Sequence, residues 1–119
     1  MRGELSNIVR LRHILGAIYE VEIYISESNF EIFLNDSMMK FACMKQLEIV
    51  GEAANHLTIN LIEKYNHINW KGIVGLRNRL VHEYFGISPY LTWEILKNEI
   101  PTLRVQIQVI LLELESENK

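Results

Sequence analysis

The strongest constraint on the fold is an apolar seam in the middle of the chain. Apolar side chains recur there at alternating spacings of four and three residues, at Cys43, Leu47, Val50, Ala54, Leu57 and Leu61. This spacing keeps the side chains on one face of an α-helix and is typical of helices that pack against other helices. It predicts a helix from Asn35 or Asp36, both good N-caps, to Lys64, about 43 Å long at 1.5 Å per residue.

Helical spacing also precedes this seam. Residues 4–26 carry apolar side chains three and four positions apart, at Leu5, Ile8, Leu11, Leu15, Ile18, Val21 and Ile25. This pattern predicts a first helix. Ser26, Ser28 and Asn29 predict a break after it. A short turn built on Phe30, Ile32 and Phe33 is expected between this break and the long helix.

Two further helices are predicted after the seam. Asn69 is expected to cap a helix that runs to Tyr84 and ends at Gly86. Ser88 and Pro89 predict the start of a fourth helix, which Pro101 should kink or restart. Its apolar stripe continues through Leu103, Ile107, Ile110 and Leu114. The sequence therefore predicts an all-α class, an antiparallel bundle of four or five helices that forms a single domain over residues 1–119.

The bulk properties narrow the function classes. No apolar run approaches the roughly 18 residues of a membrane span, and the one cysteine, Cys43, forms no intrachain disulfide. Both features favour a soluble, cytoplasmic protein. The net charge of −3 argues against broad coating of nucleic acid. His13, His56 and His67 lack metal-ligand spacing and no glycine-rich phosphate loop occurs, so we expect neither a metal nor another cofactor.

The chemistry is concentrated between residues 77 and 84. Arg77, Asn78, His82 and Tyr84 lie within these eight residues. The basic side chains Lys71, Arg77 and Arg79 outnumber the one acid, Glu83, between residues 70 and 85. Arginine holds phosphate as a planar fork, and histidine transfers protons near neutral pH. These two groups suffice to cleave RNA without a metal.

A helical wheel drawn from Ile73 places these side chains on different faces. Arg77 falls within the apolar arc, so either its head reaches solvent or a carboxylate meets it, and Glu52 is the candidate. Asn78 and His82 lie together on the polar side. Arg77 and His82 are about 140° apart on an ideal helix. Either the helix lies at the edge of a cleft, or two copies of the chain each contribute an arginine and a histidine to one site.

The motif resembles that of HEPN domains, in which an arginine precedes a histidine by a few residues. The series Arg-Asn-X-Leu-Val-His-X-Tyr at residues 77–84, preceded by Ile-Val-Gly-Leu at 73–76, is similar to the HepT toxin branch. Ile49–Ala54, Ile68–Trp70, Trp93 and Pro101 extend the resemblance over nearly the whole chain. The acidic net charge and Asn69, where a proline is expected, depart from the family pattern.

The resemblance implies a homodimer with a metal-independent ribonuclease site at the dimer cleft. In that reading Arg77, Asn78 and His82 are catalytic, and Glu52 supports them. It also implies a partner, an MNT-type nucleotidyltransferase antitoxin, which would neutralise the toxin by adenylylating Tyr84. The expected product of RNA cleavage is a cyclic phosphate with a 5′-hydroxyl.

Other interpretations remain open from the residues alone. His82 can be a surface histidine near a helix C-terminus, Arg77 a structural partner of Glu52, and Tyr84 a packing residue. Arg79 is expected at the surface or in contact with RNA. A rival function is a non-catalytic helical dimer that binds and regulates a nucleotidyltransferase. A third is a nucleotide-binding sensor.

Overall fold

The computed structural model describes the backbone of residues 2–84 and 89–117 and the side chains of residues 3–80 and 89–117. The described backbone is helical, and the all-α prediction is confirmed. In chain order its helices are α1 (Arg2–Ile25), α2 (Phe30–Asn35), α3 (Ser37–Asn55), α4 (Ile59–Lys64), α5 (Trp70–Val74), α6 (Leu76–Tyr84), α7 (Tyr90–Glu94) and α8 (Ile100–Glu117). One π-helical turn, Ile95–Glu99, joins α7 to α8. No helix within this part of the chain is long and apolar enough to cross a membrane.

Three long helices form the bundle. Helix α1 packs against both α3 and α8. Its pairing with α8 is antiparallel, because Arg12 contacts Glu115 whereas Glu22, further along α1, contacts Arg104. All six seam residues of the sequence pattern are buried, as are the four stripe residues of α8. The predicted apolar faces therefore form the core.

The prediction of one long helix through Lys64 is wrong, because the helix is interrupted at residues 56–58, between α3 and α4. The Thr58 hydroxyl accepts a hydrogen bond from the Leu61 amide and restarts the helix. Asn7 of α1 stabilises this break. Its side chain accepts from the Thr58 amide at 3.0 Å and donates to the Thr58 hydroxyl at 2.9 Å. Leu57 and Leu61 stay buried on either side of the break.

Helix α1 buries a slightly different face from the predicted one at its N-terminal end. Leu5 belongs to the predicted stripe but is 59% exposed. Asn7 is the buried residue at this end. The pairing between Asn7 and Thr58 compensates the cost of burying that amide. Ile8, Leu11, Ile18, Val21 and Ile25 are buried as predicted.

The third predicted helix is also divided. Asn69 caps α5 as expected, because its side-chain oxygen accepts from the Gly72 amide at 3.1 Å. The helix then breaks at Gly75 and restarts as α6. Helix α3 lies against this junction at Gly51, where an added Cβ would be only 3.0 Å from the carbonyl oxygen of Ile73. The close approach of two backbones fixes where α6 begins.

The disturbance expected at Pro101 takes the form of the π-helical turn just before it. A proline ring clashes with the carbonyl four residues earlier in an α-helix, and a proline nitrogen donates no hydrogen bond. The wider π-turn accommodates both effects.

The predicted end at Gly86 and cap at Ser88 lie outside the described residues. The expected short turn is α2, whose Phe33 is buried with its ring centroid 5.1 Å from that of Trp93.

Candidate functional site

Helix α6 is anchored by two leucines and directs its polar residues outward. Leu76 and Leu80 are 2% and 1% exposed. Arg77 and Asn78, between them, are both exposed. The placement of Arg77 within the apolar arc was wrong, because a wheel begun at Ile73 does not continue across the break at Gly75. The guanidinium is thus available to a ligand.

Arg77 lines an open cavity between α1, α3 and α6. The cavity has a volume of about 480 Å³, within the usual range for sites that take small ligands. Its polar lining comes from Arg10 and His13 on α1, from Lys45, Glu48, Glu52 and His56 on α3, and from Arg77 on α6. Three permanent cations face two carboxylates there, so an anion such as a phosphate is favoured over a cation.

Glu52 shares this cavity with Arg77 but pairs with another residue. Its Oε1 lies 3.0 Å from Nε2 of His56, one turn later on α3. The ion pairs of the described side chains do not include one between Glu52 and Arg77. The suggested structural pair is therefore replaced by a carboxylate–imidazole pair, because spacing of four residues on one helix brings Glu52 and His56 together.

Arg79 has a structural partner on the other side of α6. Its two terminal nitrogens lie 2.9 and 3.3 Å from the two oxygens of Glu99, in the π-helical turn. This forked contact holds α6 against the segment that leads into α8. Arg77 and Arg79 therefore flank the buried leucines and face different neighbours.

Two predicted residues lie beyond the described side chains. The backbone of α6 extends through both His82 and Tyr84, whereas their side chains are outside the described residues. The roles of His82, of Tyr84, and of Asn78 as an orienting residue for His82 stay predictions. As for metals, no grouping of three or more His, Cys, Asp or Glu side chains in the described ranges could hold an ion.

Comparison with known proteins identifies the family. The sequence model of the family described as "Ribonuclease HepT-like" matches residues 4–110. The chain belongs to this family. The resemblance inferred from the motif is thereby confirmed, and so is the predicted enzyme class, a ribonuclease.

Relatives of this HepT-like ribonuclease carry corresponding names. "Putative RNase TTE0752" of Caldanaerobacter subterraneus is 38% identical over 101 residues, which cover 85% of this chain and 90% of the relative. "Probable ribonuclease HepT" of Thermococcus cleftensis is 34% identical over 94 residues, covering 79% and 86%.

A longer relative is "Gamma-glutamylcyclotransferase and putative RNase MJ0434" of Methanocaldococcus jannaschii. It is 37% identical over 107 residues, which cover 90% of this chain but 48% of the relative. The chain thus spans about half of that protein. No solved structure matches the HepT-like ribonuclease at a significant level.

Sequence reasoning missed four polar residues of the HepT-like ribonuclease's cavity. Arg10, His13, Lys45 and His56 line it beside Arg77. A signal was present, because Lys45, Glu48, Glu52 and His56 form a polar stripe with helical spacing alongside the apolar seam. Which helix this stripe faces depends on how α6 packs against α3, and the spacing alone does not determine that packing.

Proposed function

We propose that this HepT-like ribonuclease is a metal-independent endoribonuclease toxin, with Arg77, Asn78 and His82 as its catalytic residues. One observation carries the proposal. The Arg77 side chain is exposed and lines a cavity in which cations outnumber carboxylates. Among the described side chains, Arg77 forms no structural ion pair. A phosphate of an RNA strand is the ligand that such a group binds best.

The proposed reaction is a transesterification. The 2′-hydroxyl of the ribose attacks the adjacent phosphorus while His82 takes part in the proton transfers. The new 2′-oxygen–phosphorus bond forms as the bond from phosphorus to the 5′-oxygen breaks, and a proton passes to that 5′-oxygen. Arg77 stabilises the charge that develops on the phosphoryl oxygens, and Asn78 positions His82. The products are a cyclic phosphate and a 5′-hydroxyl.

The proposed active form is a homodimer with a shared cleft. A separation of about 140° between Arg77 and His82 on one helix disfavours a site built from a single α6. Two copies that face each other each contribute an arginine and a histidine to the common cleft, so that the arginine of one chain and the histidine of the other meet at the same phosphate.

The proposed regulator is an MNT-type nucleotidyltransferase antitoxin. In the step proposed for it, the phenol oxygen of Tyr84 attacks the α-phosphorus of ATP and pyrophosphate leaves. The resulting adenylyl group adds negative charge and bulk two residues from His82, where RNA would bind. A Tyr84→Phe toxin should accordingly cleave RNA and resist this neutralisation.

The decisive experiment is incubation of the pure protein with RNA in EDTA. Wild-type protein should produce fragments with cyclic phosphate ends, and His82→Ala should abolish cleavage without changing the melting temperature. Equal cleavage by both proteins would contradict the catalytic assignment. An intact dimer that binds a nucleotidyltransferase but leaves RNA uncut, and is harmless on expression, would favour the non-catalytic regulator.

A further inference from the structure

We infer that His56 is a second proton-transfer residue of the proposed ribonuclease site, acting as general acid, and that Glu52 is its positioning residue. The inference rests on the proposed function. It assigns a role to a histidine that belongs to no motif, since His56 is separated from Arg77 by the whole of α4 and α5.

The geometry of the Glu52–His56 pair suits proton transfer. The carboxylate oxygen Oε1 of Glu52 lies 3.0 Å from Nε2 of His56 and accepts its hydrogen. This contact fixes the ring orientation and leaves Nδ1 as the nitrogen that is available to a substrate, as in enzymes whose carboxylate orients a catalytic histidine. The His56 side chain is 49% exposed, so a strand that enters the cavity can reach the ring.

The fold brings this pair beside Arg77. Gly51, the residue before Glu52, contacts the junction at which α6 begins, and Arg77 is the second residue of α6. Glu52, His56 and Arg77 consequently line one cavity of about 480 Å³. A phosphate held by Arg77 would lie in the cavity that the His56 ring also lines.

In the proposed dimer each phosphate meets Arg77 of one chain and His82 of the other, so the reaction needs a second proton-transfer group at each phosphate. One group must remove the proton of the 2′-hydroxyl, and another must donate a proton to the 5′-oxygen as its bond to phosphorus breaks. With His82 as the base, His56 delivers the second proton from Nδ1.

Other charged groups face His56 from the elements around the cavity. They are Arg10 and His13 from α1, Lys45 and Glu48 from α3, and Arg77 from α6. Because several charged and titratable groups line this cavity, the shape of a pH–rate profile alone does not identify His56. His56 can be identified with a substrate whose leaving group departs without needing a proton from an acid.

The test compares two RNA substrates under single-turnover conditions in EDTA. One has a normal 5′-oxygen at the cleavage site, and the other has sulfur in that bridging position, which leaves as a thiolate without protonation. His56→Ala should slow cleavage of the normal substrate by about 100-fold. The His56→Ala enzyme should cleave the sulfur substrate nearly as fast as the wild-type enzyme does. His82→Ala should be slow on both substrates.

The controls separate chemistry from folding. His67→Ala removes another exposed histidine, which lines a different cavity beside the π-helical turn, and it should leave both rates unchanged. His56→Gln keeps a polar side chain at the end of α3 and should reproduce the defect of His56→Ala. Glu52→Gln should give a smaller defect that is likewise rescued by the sulfur substrate.

The outcomes distinguish the two proposals. Suppose that wild type cleaves RNA and that both His56 variants cleave normal RNA as fast as wild type does. His56 is then not the acid, and the ribonuclease proposal stands. The same conclusion follows if both His56 variants are slow on both substrates at an unchanged melting temperature. If wild type leaves RNA uncut, or His82→Ala cleaves as wild type does, the proposed function fails.

Discussion

Arg77 is the residue whose environment most directly supports the proposed catalytic site. Its neighbours Leu76 and Leu80 are buried and hold α6 in place, whereas the guanidinium faces the cavity. Rigid support for an accessible cation is what stabilisation of a phosphoryl transition state needs. Arg79, two residues later, forms an ion pair with Glu99, so its guanidinium is less available to a phosphate.

We predict that Arg77→Ala lowers the single-turnover rate of RNA cleavage by about 100- to 1000-fold, the usual cost of removing one donor from a developing oxyanion. Arg77→Lys should recover only part of this loss, because an ammonium does not form the forked contact. Arg12→Ala is the matched control, since Arg12 is 62% exposed and pairs with Glu115 on α8. A rate for Arg77→Ala equal to that of the control would exclude Arg77 from the site.

Cys43 provides a pH-dependent stability prediction. Burial raises the pKa of its thiol from 9.0 to about 12. The folded state therefore favours the neutral thiol, and its contribution to stability is complete below pH 9 and is lost as the pH rises towards 12. The loss of unfolding free energy should approach about 1.4 kcal/mol per pH unit in this window.

Chemical denaturation at several pH values between 8 and 11 measures this effect. The difference between wild type and Cys43→Ala removes the contribution of lysines and tyrosines, which titrate in the same range. This difference should be constant near pH 8 and shrink above pH 9. A difference that does not depend on pH would show that the thiol ionises equally in the folded and unfolded chains.

At the level of elements, helix burial was predictable and helix continuity was not. The apolar spacing identified the buried faces of α1, α3 and α8, because that spacing is a local property of the sequence. The break at residues 56–58 depends on Asn7, which is more than fifty residues earlier. The break at Gly75 coincides with the close approach of Gly51. Both are tertiary effects, and the break at Gly75 explains why the wheel placed Arg77 incorrectly.

Gly51 and Gly16 form a matched pair that tests this close approach. A Cβ at Gly51 would lie 3.0 Å from the Ile73 carbonyl oxygen and 3.4 Å from that of Val74, whereas a Cβ at Gly16 would meet nothing within 4 Å. Gly51→Ala should lower the unfolding free energy by about 1–2 kcal/mol, as overpacking does. Gly16→Ala should raise it by up to about 1 kcal/mol, because alanine favours the helix.

Urea denaturation of the two variants gives the measurement. The Gly51 variant should also cleave RNA more slowly, since displacing the start of α6 moves Arg77, and the Gly16 variant should retain its rate. Equal stabilisation by both substitutions would mean that the α3 backbone does not constrain the position of α6.

At the scale of the whole molecule, the motif predicts the chemistry of the proposed site, and the fold determines which other residues surround Arg77. Arg77, Asn78 and His82 were identified as candidates because their types and spacing are unusual within eight residues. His13 and His56 lack such spacing, and the packing of α1 and α6 against α3 brings both to the cavity that contains Arg77. The sequence pattern does not determine whether a second copy completes this cavity.

Mixing two inactive variants tests that question. In the proposed dimer, a heterodimer of Arg77→Ala and His82→Ala chains has one site with both defects and one intact site, which takes Arg77 from one chain and His82 from the other. Each homodimer is inactive. If subunits exchange freely, half of the dimers are mixed, so an equimolar mixture should regain about a quarter of wild-type cleavage by the symmetry of a two-fold dimer.

The recovery should depend on subunit exchange. It should therefore appear after partial denaturation and refolding of the mixture, and it should vanish when each variant is refolded alone. A site contained within one chain predicts no recovery at all, because every chain in the mixture then lacks one of the two groups. Cleavage by the mixture thus reports on the shared cleft itself, independently of which RNA the enzyme prefers.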